Sequence, residues 1–191
     1  AEAAGNPAVA KDAYLRAFGY YGIARHPFPS TPGKHHAYLK ARDMFLAATK
    51  YFDIPLELVA IPFQGKEIIG HLRLPKKTPA PLIMHWGGID NWKEERHSFG
   101  ESFVKEGWGC FIMDSPGTGE CPMLASPDAH QVHTTALDYL SERREVDANK
   151  IAVVGASFGG HWSTKLAHVV PERLRAVVNW GGGIHYFFQP D

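Results

Sequence analysis

The chain has 191 residues, 45% of them hydrophobic and 21% charged, and its 20 basic side chains balance its 20 acidic ones. This composition is typical of a globular protein with one core and room for a small additional unit. The balanced charge argues against a nucleic acid or an anionic membrane surface as partner, and no apolar run approaches the roughly 20 residues that span a bilayer.

The thiol content and the first residues bear on the cellular compartment. Two cysteines, Cys110 and Cys121, are too few for a disulfide framework. The chain opens without the basic and apolar regions of a signal peptide. We therefore expect free thiols and a cytoplasmic location.

Eleven histidines raise the question of a metal site. His35 and His36 are adjacent, and His130 and His133 are three residues apart, but neither pair has a cysteine or carboxylate partner at ligand spacing. We expect surface histidines, or buried ones with hydrogen-bond partners, and neither a metal nor another cofactor.

Taken in chain order, residues 1–53 are predicted to form a helical cap segment. Small and aromatic residues recur at three- and four-residue spacing, as on one face of a helix. Residues 26–33 interrupt this pattern, because their three prolines cannot continue a helix. The two stripes are Ala10, Ala13 or Tyr14, Ala17 and Tyr21, and then Tyr38, Ala41, Phe45, Ala48 and Phe52. The aromatic rings in these stripes are suited to internal packing, to covering an active site, or to both.

Residues 54–191 show a different periodicity and are predicted to form an α/β core. Residues 56–61 and 68–74 are predicted strands joined by a turn at residues 64–66, which indicates an antiparallel hairpin. Continuous apolar strands then alternate with amphipathic helices, a pattern typical of a mostly parallel sheet covered on both faces. The predicted strands are 82–86, 108–113, 151–154 and 175–180, and the predicted helices are 94–106, 129–143 and 158–169.

The most informative motif is Gly-Ala-Ser-Phe-Gly at residues 155–159, between a predicted strand and a predicted helix. A serine at such a sharp corner is typical of a nucleophile elbow, which lifts the hydroxyl clear of the sheet. The flanking glycines allow strand and helix to approach closely. A small residue that fills a tight turn is the structural alternative, but the flanking pattern favours Ser157 as a catalytic nucleophile.

A nucleophilic serine of this kind needs two N–H donors for the oxyanion that develops on the substrate. The backbone N–H of Phe158, directly after the serine, is one candidate. The other is expected from the loop after the 82–86 strand, where Gly88 or Ile89 is best placed. A simple glycine turn without a binding role is the alternative for this loop.

Asp114 ends the 108–113 strand and opens the turn at residues 114–120, which contains one proline and two glycines. An aspartate that caps such a bend is the favoured interpretation. A direct catalytic role for Asp114 or Glu120 is the alternative.

The ordered set of motifs resembles the α/β-hydrolase superfamily. Within it, the chain is similar to the branch that holds 2,6-dihydropseudooxynicotine hydrolase, the fermentation–respiration switch esterases and the fungal melanin polyketide-shortening hydrolases. The resemblance implies an N-terminal cap domain and a substrate with a carbonyl group. The segments that carry it are residues 11–17, 20–21, 61–63, 87–90, 93–95, 113–120, 155–160 and 179–182.

In this superfamily an acid and a histidine follow the serine in the chain. Residues after the last predicted strand are too few for two further strand–helix units, so we expect the acid and the histidine beyond residue 191. The core is then incomplete at its C-terminus, its last strands are absent, and the 175–180 strand is an unprotected edge. The internal alternatives are His161, His168, His185 and Asp191.

The sequence therefore predicts a serine hydrolase that acts on a carboxylic ester or on a carbon–carbon bond next to a ketone. Its expected partners are a small-molecule carbonyl substrate and the remaining C-terminal portion of the same protein, and further copies of itself are an additional candidate. A non-catalytic regulatory or partner-binding protein on a hydrolase scaffold is the alternative, and a purely structural fragment is a third.

Overall fold

The computed structural model describes residues 5–183, and the chain divides into two compact units, one ending at Leu56 and the other beginning at Glu57. The sequence predicted the change of structure after residue 53. Among the described residues, no helix combines the length and the apolar character needed to cross a membrane.

The first unit consists of two helices, α1 (Pro7–Arg25) and α2 (Pro32–Thr49). Each begins with a side-chain cap followed by proline, which suits the first helical position because its missing N–H has no partner there. Asn6 Oδ1 accepts from the N–H of Val9 at 3.2 Å, and Thr31 Oγ1 accepts from the N–H of Lys34 at 3.3 Å. Local sequence therefore sets where both helices start.

Aromatic packing joins the two helices. Phe18, Ala41 and Phe45 form the buried centre, with the rings of Phe18 and Phe45 5.5 Å apart. Phe52 packs edge-on against Phe45 at 6.1 Å. The second predicted stripe is confirmed by the buried Ala41 and Phe45, whereas on α1 the buried ring is that of Phe18 and the predicted Tyr21 is exposed.

The described residues of the second unit form six strands and three α-helices. In chain order they are β1 (Glu57–Phe63), β2 (Lys66–Arg73), β3 (Ala80–Trp86), α3 (His97–Lys105), β4 (Gly109–Met113), α4 (Gln131–Ser141), β5 (Val146–Ala156), α5 (Phe158–Val169) and β6 (Ala176–Trp180). Two short 3-10 turns, Lys93–Arg96 and Pro171–Arg173, precede α3 and β6.

The strands form one sheet in the order β1-β2-β4-β3-β5-β6. The β1–β2 and β2–β4 pairs are antiparallel, whereas β4, β3, β5 and β6 run parallel. Trp86 pairs with Met113 on one side and with Gly155 on the other, so the loops after β3, β4 and β5 leave from one edge. The predicted α/β class is confirmed, and this edge is where α/β sheets bind ligands.

Both faces of the sheet are covered by apolar side chains. The larger cluster lies where α4 and α5 pack, and includes Trp86, Leu137 and Trp162. The opposite face joins Ile83 and Val154 to aromatic residues in and after α3, namely Phe99, Phe103 and Trp108. This two-sided burial explains why β3 and β4 are continuously apolar in sequence.

Two element starts differ from the prediction by three or more residues. β5 begins at Val146 rather than Ile151. Residues 147–150 belong to the strand but carry no apolar pattern, and three of the four are exposed. Helix α3 begins at His97, since residues 93–96 form the tighter 3-10 turn. The predicted edge is confirmed within the described residues: β6 pairs there only with β5, and Trp180 is 55% exposed.

Candidate active site

Ser157 occupies the single-residue corner between β5 and α5. Its φ of 54° and ψ of −127° are unusual for a residue with a side chain, and Gln64 is the other described non-glycine residue with positive φ. Its N–H donates to the Trp180 carbonyl at 2.9 Å, and its own carbonyl accepts from the Gly160 N–H at 2.8 Å. Ser157 is exposed, so the strained backbone presents its hydroxyl outward.

Glycine is required on either side of Ser157 because there is no room for a side chain. A Cβ on Gly155 would collide with the Gly159 carbonyl, and a Cβ on Gly159 would lie 2.5 Å from the Gly87 carbonyl oxygen. The Gly159 carbonyl also accepts from the indole N–H of Trp86 at 2.8 Å. The end of β3, the corner and the start of α5 are therefore packed backbone to backbone.

The loop after β3 lies directly against the serine. A Cβ on Gly88 would lie 3.0 Å from Ser157 Oγ and 2.9 Å from its Cβ, whereas Ile89 is 53% exposed. Phe158 is the first residue of α5, so its N–H points out of the positive end of that helix. The structure thus places Gly88, Ser157 and Phe158 together, and their roles as nucleophile and oxyanion donors stay predictions.

A buried charge cluster, which the sequence analysis missed, lies behind this loop. The Lys93 ammonium is fully buried and has carboxylate oxygens of Glu94, Asp114 and Glu120 at 2.8, 2.8 and 2.7 Å. Burial raises the pKa of the Glu94 carboxyl, and the nearby Lys93 charge only partly opposes this shift. A lysine beside two glutamates after a glycine loop was the available signal, but two of the three carboxylates that enclose it come from the distant turn after β4.

Asp114 connects this cluster to the backbone. Its carboxylate accepts from the N–H of Lys93 and from the N–H of Glu120, each at 2.9 Å. Next to it, the buried Ser115 hydroxyl donates to the Gly87 carbonyl at 2.9 Å. The geometry agrees with the interpretation of Asp114 as a residue that organises a turn.

One known protein family matches the whole chain. The sequence model of the FrsA-like esterases matches residues 1–191. The chain belongs to this family.

Individual relatives support that assignment. The chain is 28% identical to the hydrolyase poxO of Penicillium oxalicum, over 92% of this chain and 46% of poxO. It is 24% identical to the esterase FrsA of Photobacterium profundum, over 95% of this chain and 44% of FrsA. The chain therefore spans about half the length of the curated relatives it matches.

Solved structures give the same fold. A 2,6-dihydroxy-pseudo-oxynicotine hydrolase superposes with a TM-score of 0.84 at 23% identity, covering 94% of this chain and 52% of that one. AbyA5 superposes with a TM-score of 0.82 at 25% identity, covering 92% and 52%. The predicted resemblance to this branch of the α/β-hydrolases is confirmed.

The histidines of this esterase-family chain do not meet the serine within the described residues, where no hydrogen bond joins a histidine ring to Ser157 Oγ. His161 stacks on Phe158 with ring centres 6.2 Å apart, and partial burial lowers its pKa. His168 lies in the last turn of α5, two turns further on. The candidates His185 and Asp191 lie outside the described residues.

His133 differs from the expectation for buried histidines. Its ring packs between Trp86 and Trp162, with centroids 4.3 and 5.8 Å away. Neither ring nitrogen has a hydrogen-bond partner in the described part of the chain, and burial lowers its pKa to about 3. His133 is thus a neutral aromatic core residue. Residues 5–183 contain no group of three His, Cys, Asp or Glu side chains placed to hold a metal ion.

Proposed function

We propose that this chain carries the nucleophile and the oxyanion-binding groups of a serine hydrolase. The observation that carries the proposal is the strained, exposed Ser157 at the β5–α5 corner, with the Gly88 backbone packed against its hydroxyl. Membership of the FrsA-like esterases supports ester or related carbonyl chemistry. The substrate is a carboxylic ester or a ketone whose adjacent carbon–carbon bond is cleaved.

In the proposed mechanism Ser157 Oγ attacks the substrate carbonyl carbon while a histidine accepts the hydroxyl proton. The carbonyl oxygen becomes an oxyanion and accepts from the N–H of Phe158 and from the N–H of Gly88 or Ile89. The C–O bond of an ester then breaks, the alcohol leaves with the proton from histidine, and water hydrolyses the acyl-enzyme. With a ketone, the adjacent C–C bond breaks, and the carbon fragment takes the proton.

The histidine and its acid partner are proposed to come from beyond residue 191. Two observations support this. No hydrogen bond joins a described histidine to the Ser157 hydroxyl, and this chain spans about half the length of the matched relatives. The proposed order of serine, acid and histidine is the one usual for this fold.

A fluorophosphonate probe tests the proposal on the intact protein. The probe phosphonylates an activated serine with loss of fluoride, so we expect one labelled site, which Ser157→Ala abolishes together with ester hydrolysis. Ser102→Ala is the matched control, because Ser102 is also exposed but lies on α3 and donates to the Ser98 carbonyl at 3.1 Å. It should label like the wild type.

Folded intact protein that resists the probe, or Ser157→Ala protein that still hydrolyses esters, would contradict the proposal. A protein that neither labels nor hydrolyses but still binds a partner after Ser157→Ala would favour the regulatory alternative.

A further inference from the structure

The segment of residues 87–93 joins β3 to the 3-10 turn before α3 and carries both Gly88 and Ile89. A backbone N–H can stabilise an oxyanion only when it lies within about 2.7–3.1 Å of the position that the charged oxygen takes. A loop is less rigid than a strand or helix, so something must hold this one. The structure shows what holds each end.

At the first end, Ser115 holds Gly87. The Ser115 side chain is 1% exposed, and its hydroxyl donates to the Gly87 carbonyl at 2.9 Å. Gly87 precedes Gly88 directly, and its carbonyl oxygen also limits the space at Gly159. The Ser115 hydroxyl therefore sets the orientation of the peptide whose N–H belongs to Gly88.

At the other end, Asp114 holds Lys93 by two different groups. One carboxylate oxygen accepts from the Lys93 backbone N–H at 2.9 Å, and the other accepts from the Lys93 ammonium at 2.8 Å. That second oxygen also accepts from the N–H of Glu120 at 2.9 Å. The Asp114 carboxylate is therefore held by the turn that follows β4, and it holds the end of the 87–93 segment in place.

Trp92 braces the middle of the segment. Its indole N–H donates to the Ile89 carbonyl at 2.8 Å, and its backbone N–H donates to the Glu95 carboxylate at 2.6 Å. The peptide between Ile89 and Asp90 is thus held against the same 3-10 turn that Lys93 begins. Between Gly87 and Lys93 the segment therefore has little freedom to move independently.

Stability alone is a poor explanation for this arrangement. Replacing a buried ion pair by apolar residues of similar size often costs nothing. Here the charges lie beside the loop, and two consecutive residues that follow β4 contact its two ends. That pattern is typical of groups that hold a precise geometry.

We propose that Asp114 and Ser115 are positioning residues, which together hold residues 87–93 so that the Gly88 or Ile89 N–H meets the oxyanion formed at Ser157. This inference rests on the proposed function. Neither side chain needs to touch the substrate, because each acts through the backbone of the segment.

The consequence for kinetics is specific. An oxyanion donor acts mainly in the transition state, so its misplacement lowers kcat and leaves KM nearly unchanged. Complete loss of such a donor typically lowers kcat by about 10²–10³-fold. We expect Asp114→Asn to lower kcat by about 100-fold and Ser115→Ala, which frees only one end, by about 10-fold.

The experiment uses intact protein with 4-nitrophenyl acetate as substrate and measures kcat, KM, thermal unfolding and the second-order rate of fluorophosphonate labelling. Glu57→Gln is the control. It removes an ion pair of 2.7 Å with Arg143, which lies in the connection before β5 at the opposite end of the parallel strands. This control should keep wild-type kcat.

The inference is supported if both variants lose kcat and labelling rate in parallel, with KM unchanged. If Asp114→Asn fails to fold, Ser115→Ala alone decides. Wild-type kcat and labelling in folded Ser115→Ala protein, or an effect confined to KM or to melting, would overturn the inference while Ser157→Ala remains inactive. Turnover that survives Ser157→Ala would instead refute the proposed function, and the inference with it.

Discussion

The two ends of the parallel strands use the same kinds of charged side chain in opposite ways. At the carboxyl end, Lys93 and Asp114 are almost fully buried, at 2.8 Å from ammonium to carboxylate. Near the amino end of β4, Lys105 and Glu101 on α3 form a pair of the same length, but Lys105 is 65% exposed. Water weakens the exposed pair, whereas the buried pair has only its protein partners.

The candidate site therefore lies at the end of the sheet where substitutions are expected to be least tolerated. The carboxyl end combines a strained serine, close glycine contacts, a buried ion cluster and the buried His133. The amino end holds pairs with at least one exposed partner, such as Arg173–Asp138 and Lys150–Asp147. Substitutions of one kind should therefore have unequal effects at the two ends.

The largest difference is expected for lysine-to-methionine substitutions. Lys93→Met leaves three carboxylates facing one another in a buried space, so it should lower the free energy of unfolding by about 3–5 kcal/mol. Lys105→Met should change it by less than about 0.5 kcal/mol, because its pair is an exposed i,i+4 pair. Urea unfolding of the two variants measures both values, and equal losses would remove the distinction between the ends.

His133 should make the carboxyl end sensitive to acid. Burial lowers its pKa from 6.5 to about 3, so below pH 6.5 the unfolded chain binds a proton that the folded chain refuses. Stability is therefore complete above pH 6.5 and falls as the pH drops towards 3. His133→Phe should remove about 2 kcal/mol of the loss between pH 8 and pH 5.

The remaining acid dependence should persist in that variant, because burial also lowers the pKa of His71 to about 3 and that of His85 to about 4. Unfolding free energies measured at pH 8 and pH 5 test this. An unchanged difference between the two pH values in His133→Phe protein would show that His133 does not contribute.

Backbone strain at Ser157 predicts a gain of stability at the cost of function. Ser157→Gly removes the side chain that disfavours positive φ, so it should raise the free energy of unfolding by about 1 kcal/mol. It should also abolish fluorophosphonate labelling. Gln64→Gly, at φ 48° in the β1–β2 turn, is the matched control. It should stabilise similarly without affecting labelling, and a destabilised Ser157→Gly protein would contradict the strain argument.

A small effect is also expected for Glu57→Gln at the amino end. Glu57 makes a bidentate contact with Arg143, at 2.7 and 3.0 Å, but its side chain is 47% exposed. The loss should stay below about 1 kcal/mol and shrink further in high salt. Unfolding at two salt concentrations checks this, and a salt-independent loss above that value would count against the comparison.

Local patterns determined the elements that surround the candidate site. Helix α5 has the predicted bounds, residues 158–169, and Ser157 stands at the predicted strand–helix corner. Such corners are readable because glycine spacing, an apolar strand and an amphipathic helix all lie within a few residues. The start of β5 was missed, because residues 147–150 carry no apolar pattern and form a register irregularity between the Val146–Ala80 and Ile151–Leu82 pairs.

The sequence by itself thus determined the α/β class, the two helices of the first unit, and the proximity of Gly88 to Ser157 through the shared edge of a parallel sheet. Only the tertiary structure decided which strands are neighbours, that His133 is enclosed by two tryptophans, and that Lys93 meets Asp114 across 21 positions of the chain. The physical reason is the distance along the chain over which each effect acts. Turn and helix preferences act over a few residues, whereas burial of a charge and the choice of its partner depend on groups that only folding brings together.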